Sequence, residues 1–252
     1  MQWYANVVQS LEYGKTYSRS ALLSQLKREN PSLTDNSFQW TIGKMVKSGK
    51  LIRINHDQYV LSNENVRPVY VPEYSDIAME LMGITSEQFP YARFTVFETV
   101  LMNEFLNHLI AQNTIFLQVE KEVSVFVFRF LQEEGYKNVM YKPSKKELSF
   151  YWAKDSIIVT DIISEAPLRL DNPHSICIEK LLVDMYCDKL ISGTYSKAEY
   201  KSVTEQVLKR YRVETTKLLR YARRRNKEAE IAKILEKVVL GDTSCPLSLK
   251  YV

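Results

Sequence analysis

The chain has 252 residues, of which 45% are hydrophobic and 25% charged, with a net charge of +4; these values are typical of a globular protein with one large or two smaller domains. No run reaches the roughly 18 apolar residues of a membrane-spanning helix, and the N-terminus lacks the basic and apolar regions of a signal peptide. We therefore expect a cytoplasmic protein whose three cysteines are reduced thiols.

The charge is unevenly distributed along the chain. Residues 1–62 contain eight Lys and Arg against four Asp and Glu, and residues 195–237 contain thirteen against six. The rest of the chain has a net charge of −7. Two basic segments favour contact with a polyanion at two places, although the basic tail is equally compatible with a solvated helix face.

The first segment has the pattern of a winged helix-turn-helix domain at residues 1–62. Its predicted elements are helices at about 3–12, 17–30 and 34–47 and strands at 51–54 and 58–61. Thr34 is the expected N-cap of the third helix, because its hydroxyl can accept a hydrogen bond from a free amide of the first turn. Gly49 ends that helix, and the two strands form a hairpin in the position of a wing.

The third predicted helix separates an apolar face from a polar and basic one. The apolar stripe comprises Phe38, Ile42, Met45 and Val46. A helix fits the major groove of DNA, where polar side chains contact base edges while lysines and arginines neutralise phosphates. The candidate DNA-binding residues are therefore Asn36, Ser37, Gln39, Trp40, Lys44, Lys47, Lys50, Arg53 and His56. Trp40 is also compatible with cover by a neighbouring domain, and His56 with a position in solvent.

A linker is predicted at residues 63–74, where two prolines interrupt any periodicity. Residues 75–252 then predict an α/β domain with a helical tail. The expected elements are a buried helix at about 95–111, strands at 115–119, 139–141, 148–152 and 157–163, a helix at 121–134, and C-terminal helices at 175–190, 196–211, 214–225 and 227–240. The fold class is therefore α+β, with a winged helix-turn-helix, a small sheet of about four strands and a C-terminal helical bundle.

Two charged features lie on the predicted C-terminal helices. The run from Arg223 to Arg225 is the densest basic run in the chain, and with Arg220 it forms a second candidate basic patch for DNA, RNA or protein. Lys180, Asp184 and Asp188 fall on one side of the helix at 175–190. We expect them to form a surface charge face.

Three stretches resemble the AbiEi-type antitoxins of bacterial type IV toxin–antitoxin, or abortive-infection, systems. The first, FQWTIGKMVKSGKLIRINHDQYVL at residues 38–61, contains the predicted recognition helix, its Lys/Gly stop and the hairpin. The others, at residues 100–143 and 166–189, resemble the C-terminal domain of those antitoxins.

The resemblance implies two activities and no catalysis. The winged helix would bind an inverted repeat upstream of its own operon, as two copies on two half-sites, and repress transcription. The C-terminal domain would counter a nucleotidyltransferase-like toxin encoded by an adjacent gene. The resemblance does not extend to residues that would meet the toxin.

A metal-dependent nuclease with a winged-helix domain is the alternative class. Its candidate carboxylates are Glu120, Glu147, Asp155 and Asp161. Asp161 is followed by Ile162-Ile163-Ser164 rather than by the ExK pattern of PD-(D/E)xK nucleases, and loss of cleavage in Asp161→Ala would support this class. With three histidines and no CxxC, HExxH or glycine-rich loop, we expect neither a metal nor a cofactor. A third alternative is a winged helix that contacts only proteins.

Overall fold

The computed structural model describes residues 3–12, 15–55, 57–61 and 67–240. The architecture is mixed α+β, and the chain divides into two compact units that we describe separately. The first unit combines residues 1–69 with residues 208–252, and the second comprises residues 70–207. The sequence prediction assigned the C-terminal helices to the second domain, whereas here the last of them pack with the N-terminal segment. No helix in the described ranges is long and apolar enough to cross a membrane.

The first unit begins with three helices and a small antiparallel sheet. The elements are α1 (Ala5–Ser10), β1 (Thr16–Ser18), α2 (Arg19–Glu29), α3 (Asp35–Lys47), β2 (Leu51–Arg53) and β3 (Gln58–Leu61). The strand order is β1-β3-β2, and both pairs are antiparallel. The predicted helices at 17–30 and 34–47 and the predicted hairpin are confirmed, except that β1 replaces the first residues of the second helix.

Local capping explains where α2 and α3 begin. The Ser18 hydroxyl accepts a hydrogen bond from the Ala21 amide at 3.1 Å, and the Thr34 hydroxyl accepts one from the Ser37 amide at 3.3 Å. Each bond satisfies one of the amides that a helix leaves unpaired at its start. The predicted apolar stripe of α3 is confirmed, since Phe38, Ile42 and Met45 are buried and Val46 packs against the same core.

Helices from the far end of the chain complete the first unit. They are α9 (Thr215–Arg224) and α10 (Glu228–Leu240), which follow the end of α8 (Tyr200–Arg210). The Arg67 guanidinium donates to the Leu208 carbonyl, and the Arg212 amide donates to the Pro68 carbonyl at 2.9 Å. Helix α9 buries Leu218, Leu219 and Tyr221 and packs against β2. The basic tail is therefore part of the same compact unit as α3.

The second unit is built on a four-stranded mixed sheet, as predicted. Its elements are α4 (Asp76–Gln88), β4 (Phe94–Glu98), β5 (Thr114–Val119), α5 (Lys121–Glu133), β6 (Val139–Tyr141), α6 (Lys145–Tyr151), β7 (Ser156–Asp161), α7 (Ile178–Cys187) and most of α8. The strand order is β4-β5-β7-β6, in which β4 is antiparallel to β5 and the other pairs are parallel. The connection β5–α5–β6 places α5 over one face of the sheet, where Val127 and Leu131 enter the core.

Two predicted elements of this unit were wrong. The segment predicted as a helix at 95–111 begins as β4 and continues as a short 3₁₀ turn, Thr99–Glu104. All five residues of β4 are buried, including the polar Thr95 and Glu98, so the strand lacks the alternation that identifies a strand exposed on one side. The strand predicted at 148–152 lies mostly in α6, which starts with a capping box between Ser144 and Glu147.

One predicted surface feature is in fact buried. Lys180 and Asp184 have no exposed surface and form an ion pair on α7. The Lys180 ammonium also donates to the side-chain oxygen of Gln118 on β5, and the Gln118 amide donates to Asp184 at 3.4 Å. The predicted surface charge face is therefore wrong, because hydrogen bonds from the sheet compensate the removal of these charges from water.

Gly135 ends α5 and gives the first testable prediction. It has φ of +88°, and the amides of Gly135 and Tyr136 donate to the carbonyls of Gln132 and Leu131 in the arrangement of a Schellman motif. We expect Gly135→Ala to lower the free energy of unfolding by about 1 kcal/mol, because a Cβ disfavours the left-handed backbone. Urea unfolding measures this change.

Gly83 provides the matched control, because it lies inside α4 and, as at Gly135, a Cβ would meet no atom within 4 Å. We expect Gly83→Ala to raise the free energy of unfolding by about 0.5–1 kcal/mol through helix propensity. If both substitutions changed the free energy of unfolding in the same direction, the assignment of Gly135 as the left-handed cap of α5 would be wrong.

Candidate nucleic-acid interface

Helix α3 presents a continuous polar and basic face to solvent. Asn36, Trp40, Lys44 and Lys47 follow one another at helical spacing, and all four are exposed. The Trp40 side chain is 63% exposed. The opposite face of α3 is in the core. The structure therefore brings together on one surface most of the side chains that the sequence singled out.

The start of α3 offers polar side chains beside a helix N-terminus. The Thr34 hydroxyl donates to the Ser37 hydroxyl oxygen at 3.0 Å, which fixes the position of Ser37 while leaving its own proton available. Asn36 and Gln39 are exposed beside it. Amide and hydroxyl groups of this kind can donate to or accept from base edges.

Lys44 and Lys47 supply positive charge to the second half of α3. The Lys44 ammonium lies 4.6 Å from the centre of the Trp40 ring, which is the distance of a cation–π contact. This contact holds the charge on the exposed face of the helix. Lys47 is exposed one turn further along.

The candidates beyond α3 are more constrained. Lys50 and Arg53 are half-buried, with the Lys50 ammonium 5.3 Å from the centre of the Tyr4 ring. The Arg53 Nε donates to the Asn55 carbonyl at 2.9 Å, so the guanidinium helps to shape the hairpin turn. His56 lies outside the described residues.

A surface cleft beside α3 adds residues that sequence reasoning missed. The cleft has a volume of about 420 Å³, and the lining residues beyond the predicted set include Trp3, Asn30 and Leu33. The Trp3 side chain is 39% exposed. Trp3 lies beside α3 through the tertiary fold, which no local pattern encodes.

The second candidate basic patch lies on α9, in the same unit as α3. Arg220, Arg223 and Arg224 are exposed, whereas Arg225 is half-buried. Arg223 forms a bidentate ion pair with Glu228, with both bonds at 2.6 Å. Such a pair holds the guanidinium firmly and offsets much of its charge.

The two units differ strongly in charge. The residues of the first unit include 21 Lys and Arg against 10 Asp and Glu, a net charge of +11, whereas the second unit has a net charge of −7. The first basic segment and residues 208–237 of the second, with eleven Lys and Arg against four Asp and Glu, therefore belong to one unit. Charge of this density attracts polyanions over distances comparable with the Debye length.

The four carboxylates of the alternative nuclease hypothesis lie in different local environments. Glu120 accepts from the Arg93 amide, and Glu147 closes the capping box of α6, where its bonds to Ser144 lower its pKa. Asp155 lies in a turn with φ of +56°. Asp161 accepts from Ser124 at 2.8 Å and pairs with Lys142 at 2.7 Å. Among the described residues, no group of three or more His, Cys, Asp or Glu side chains is arranged to hold a metal ion.

Comparison with known proteins identifies a family. No curated protein sequence matches the chain. A family model described as "Family of unknown function (DUF6577)" matches residues 37–240. The match runs from the first turn of α3 to the end of α10 and includes residues of both units. Because it covers most of the chain, the protein belongs to the DUF6577 family.

Proposed function

We propose that the first unit is a winged helix-turn-helix domain that binds double-stranded DNA, with α3 as the recognition helix. The observation that carries this proposal is the gathering of both basic segments, with a net charge of +11, in the unit that exposes the polar face of α3. The order of elements supports it, since α2, a short turn and α3 are followed by the β2–β3 hairpin.

The contacts fall into two classes. Asn36, Ser37 and Gln39 contact base edges from the start of α3, where a recognition helix enters the major groove. Lys44 and Lys47 neutralise phosphates, with Trp40 holding the Lys44 ammonium on the exposed face. Arg220 and Arg224 on α9 extend the positive surface to phosphates outside the groove.

We further propose that the protein represses its own operon and acts as an antitoxin in the cytoplasm. The resemblance to AbiEi-type antitoxins supports this part, and it implies an inverted-repeat operator bound by two copies of the chain. The second unit then counters a nucleotidyltransferase-like toxin. An adjacent gene that encodes such a toxin would strengthen the proposal.

A reporter assay tests the regulatory function. DNA from upstream of the gene drives a reporter in cells that express the protein, the Lys44→Ala/Lys47→Ala variant, or no protein. We expect the wild-type chain to repress the reporter and the variant to lose most of this repression, because two phosphate contacts disappear. The control is Lys137→Ala/Lys154→Ala, which removes two exposed lysines of the second unit.

Immunoblotting confirms that all variants accumulate equally. Repression by Lys44→Ala/Lys47→Ala as strong as that of the wild type would exclude α3 as the DNA-binding element. Absence of repression by the wild-type protein would contradict autorepression.

A further inference from the structure

The second unit contains an open groove that the proposed DNA-binding function does not use. Its walls are the segment before β5, helix α6, and the segment after α7 that includes Lys189 and Gly193. The groove has a volume of about 840 Å³, which is large enough for several side chains of a bound segment.

The lining of the groove combines apolar and polar surface in similar shares. The apolar contribution comes from Leu109, Ile110, Ala111, Leu148, Trp152 and Leu190. Leu109 at the edge of the groove is 77% exposed. An exposed apolar side chain beside a groove is a feature of interaction sites.

One aromatic side chain of the groove is fixed in position. The Trp152 Nε1 donates to the Thr114 hydroxyl at 2.9 Å, which ties the indole to the first residue of β5. A partly buried tryptophan whose polar atom is satisfied presents a rigid apolar surface. Side chains of this type dominate the binding energy of protein interfaces.

The charged groups of the groove are all positive. Lys145 and Lys189 line it, and no Asp or Glu does. Within the described ranges, no carboxylate forms an ion pair with either lysine, and the nearby Glu147 is engaged by Ser144. The Lys145 side chain on α6 extends across the groove to the segment after α7. Its ammonium lies 4.0 Å from the position that a Cβ on Gly193 would occupy. A local positive site on a unit of net charge −7 is complementary to carboxylates.

We propose that this groove binds an acidic amphipathic segment of a partner protein. Apolar side chains of the segment contact Leu148, Trp152 and Leu190, while its carboxylates pair with Lys145 and Lys189. The open shape of the groove and the exposure of Leu109 at its edge favour a peptide over a small molecule, because a peptide covers more of this surface. This interaction uses the second unit alone and does not depend on DNA binding by the first.

Trp152 provides a direct measurement of binding. In a Trp3→Phe/Trp40→Phe background Trp152 is the remaining tryptophan of the three in the chain, so its fluorescence reports on the groove. The probe is a short synthetic amphipathic helix with Leu and Phe on one face and Glu on the other. We expect saturable binding that changes the Trp152 emission and weakens with added salt.

The variants separate the charge contribution from the apolar one. Lys145→Glu/Lys189→Glu should weaken binding about tenfold or more, because attraction becomes repulsion. Lys121→Glu/Lys137→Glu makes the same charge change at exposed sites outside the groove lining and should leave binding within about twofold, since exposed charges away from the groove are largely screened. Leu109→Ser changes a largely exposed residue and tests the apolar contribution without affecting the core.

Two results would overturn the proposal. One is the absence of saturable binding by a protein whose circular dichroism shows it to be folded. The other is equal affinity for a peptide in which Lys replaces every Glu, since a purely apolar site would not distinguish the two. Neither result would bear on DNA binding, which the fluorescence of Trp152 does not report.

Discussion

Replacing Lys180 by Met is expected to lower the free energy of unfolding by about 3–5 kcal/mol, because it leaves the Asp184 carboxylate buried without its cation. Both side chains lack solvent contact, and Gln118 completes the buried group from β5. Methionine has a similar length, so the change removes charge with little change in packing. Urea or thermal unfolding of the full chain measures the loss.

The double variant Lys180→Met/Asp184→Leu is the control for this prediction. It removes both charges, so its cost should be well below the sum of the two single substitutions, and a double-mutant cycle gives the coupling directly. The ion pair would be absent from the folded protein if the double variant lost as much stability as the two single variants together. A Lys180→Met variant as stable as the wild type would show the same.

Asn36→Ala and Lys47→Ala are expected to impair DNA binding in different ways. Asn36 lies at the start of α3 and contacts bases in the proposed complex, so its loss should reduce the preference for operator over unrelated DNA by about 1–3 kcal/mol. Lys47 contacts phosphate, so its loss should weaken binding to both DNAs alike and reduce the salt slope of the affinity by about 1.

Fluorescence anisotropy with operator and unrelated duplexes, each at several salt concentrations, distinguishes the two effects. Lys154→Ala is the control, because it removes an exposed lysine of the second unit. If Asn36→Ala and Lys47→Ala shifted affinity, preference and salt slope in the same proportion, the assignment of base and phosphate contacts would be wrong.

The part of the fold that the sequence predicts well is the part specified by local signals. Helix α3 has a capping threonine at Thr34, a stripe of apolar residues at helical spacing, and Gly49 with φ of +74° just after its end. Each of these signals acts within a few residues, so they specify the helix locally and the tertiary contacts are consistent with it. The exposed face of α3 follows from the same pattern.

The errors arise where distant parts of the chain decide the outcome. Strand β4 is covered on both faces, so it lacks the alternation of apolar and polar residues that would distinguish it from a buried helix. Lys180 and Asp184 have the spacing of a surface pair, and Gln118, from another element, helps to make their burial tolerable. The capping box from Ser144 to Glu147 is visible in the sequence and would have corrected the prediction for α6.

The composition of the candidate interface was only partly predictable. The sequence showed two basic segments separated by more than a hundred residues. They meet in one compact unit through tertiary contacts such as the packing of α9 against β2 and the hydrogen bonds that join Arg67 to Leu208 and Arg212 to Pro68. Contacts between residues so far apart have no periodic signature in a single sequence.

The central claim, that the first unit binds specific DNA, is tested most directly by anisotropy titration of the wild-type protein. A labelled duplex from upstream of its gene is titrated over a range of salt concentrations, with unlabelled unrelated DNA as competitor. We predict that unrelated DNA competes about a thousandfold less well or worse, and that log affinity falls linearly with log salt. Equal competition by unrelated DNA, or no binding at low salt, would contradict the claim, and cleavage of the duplex would point to the nuclease hypothesis instead.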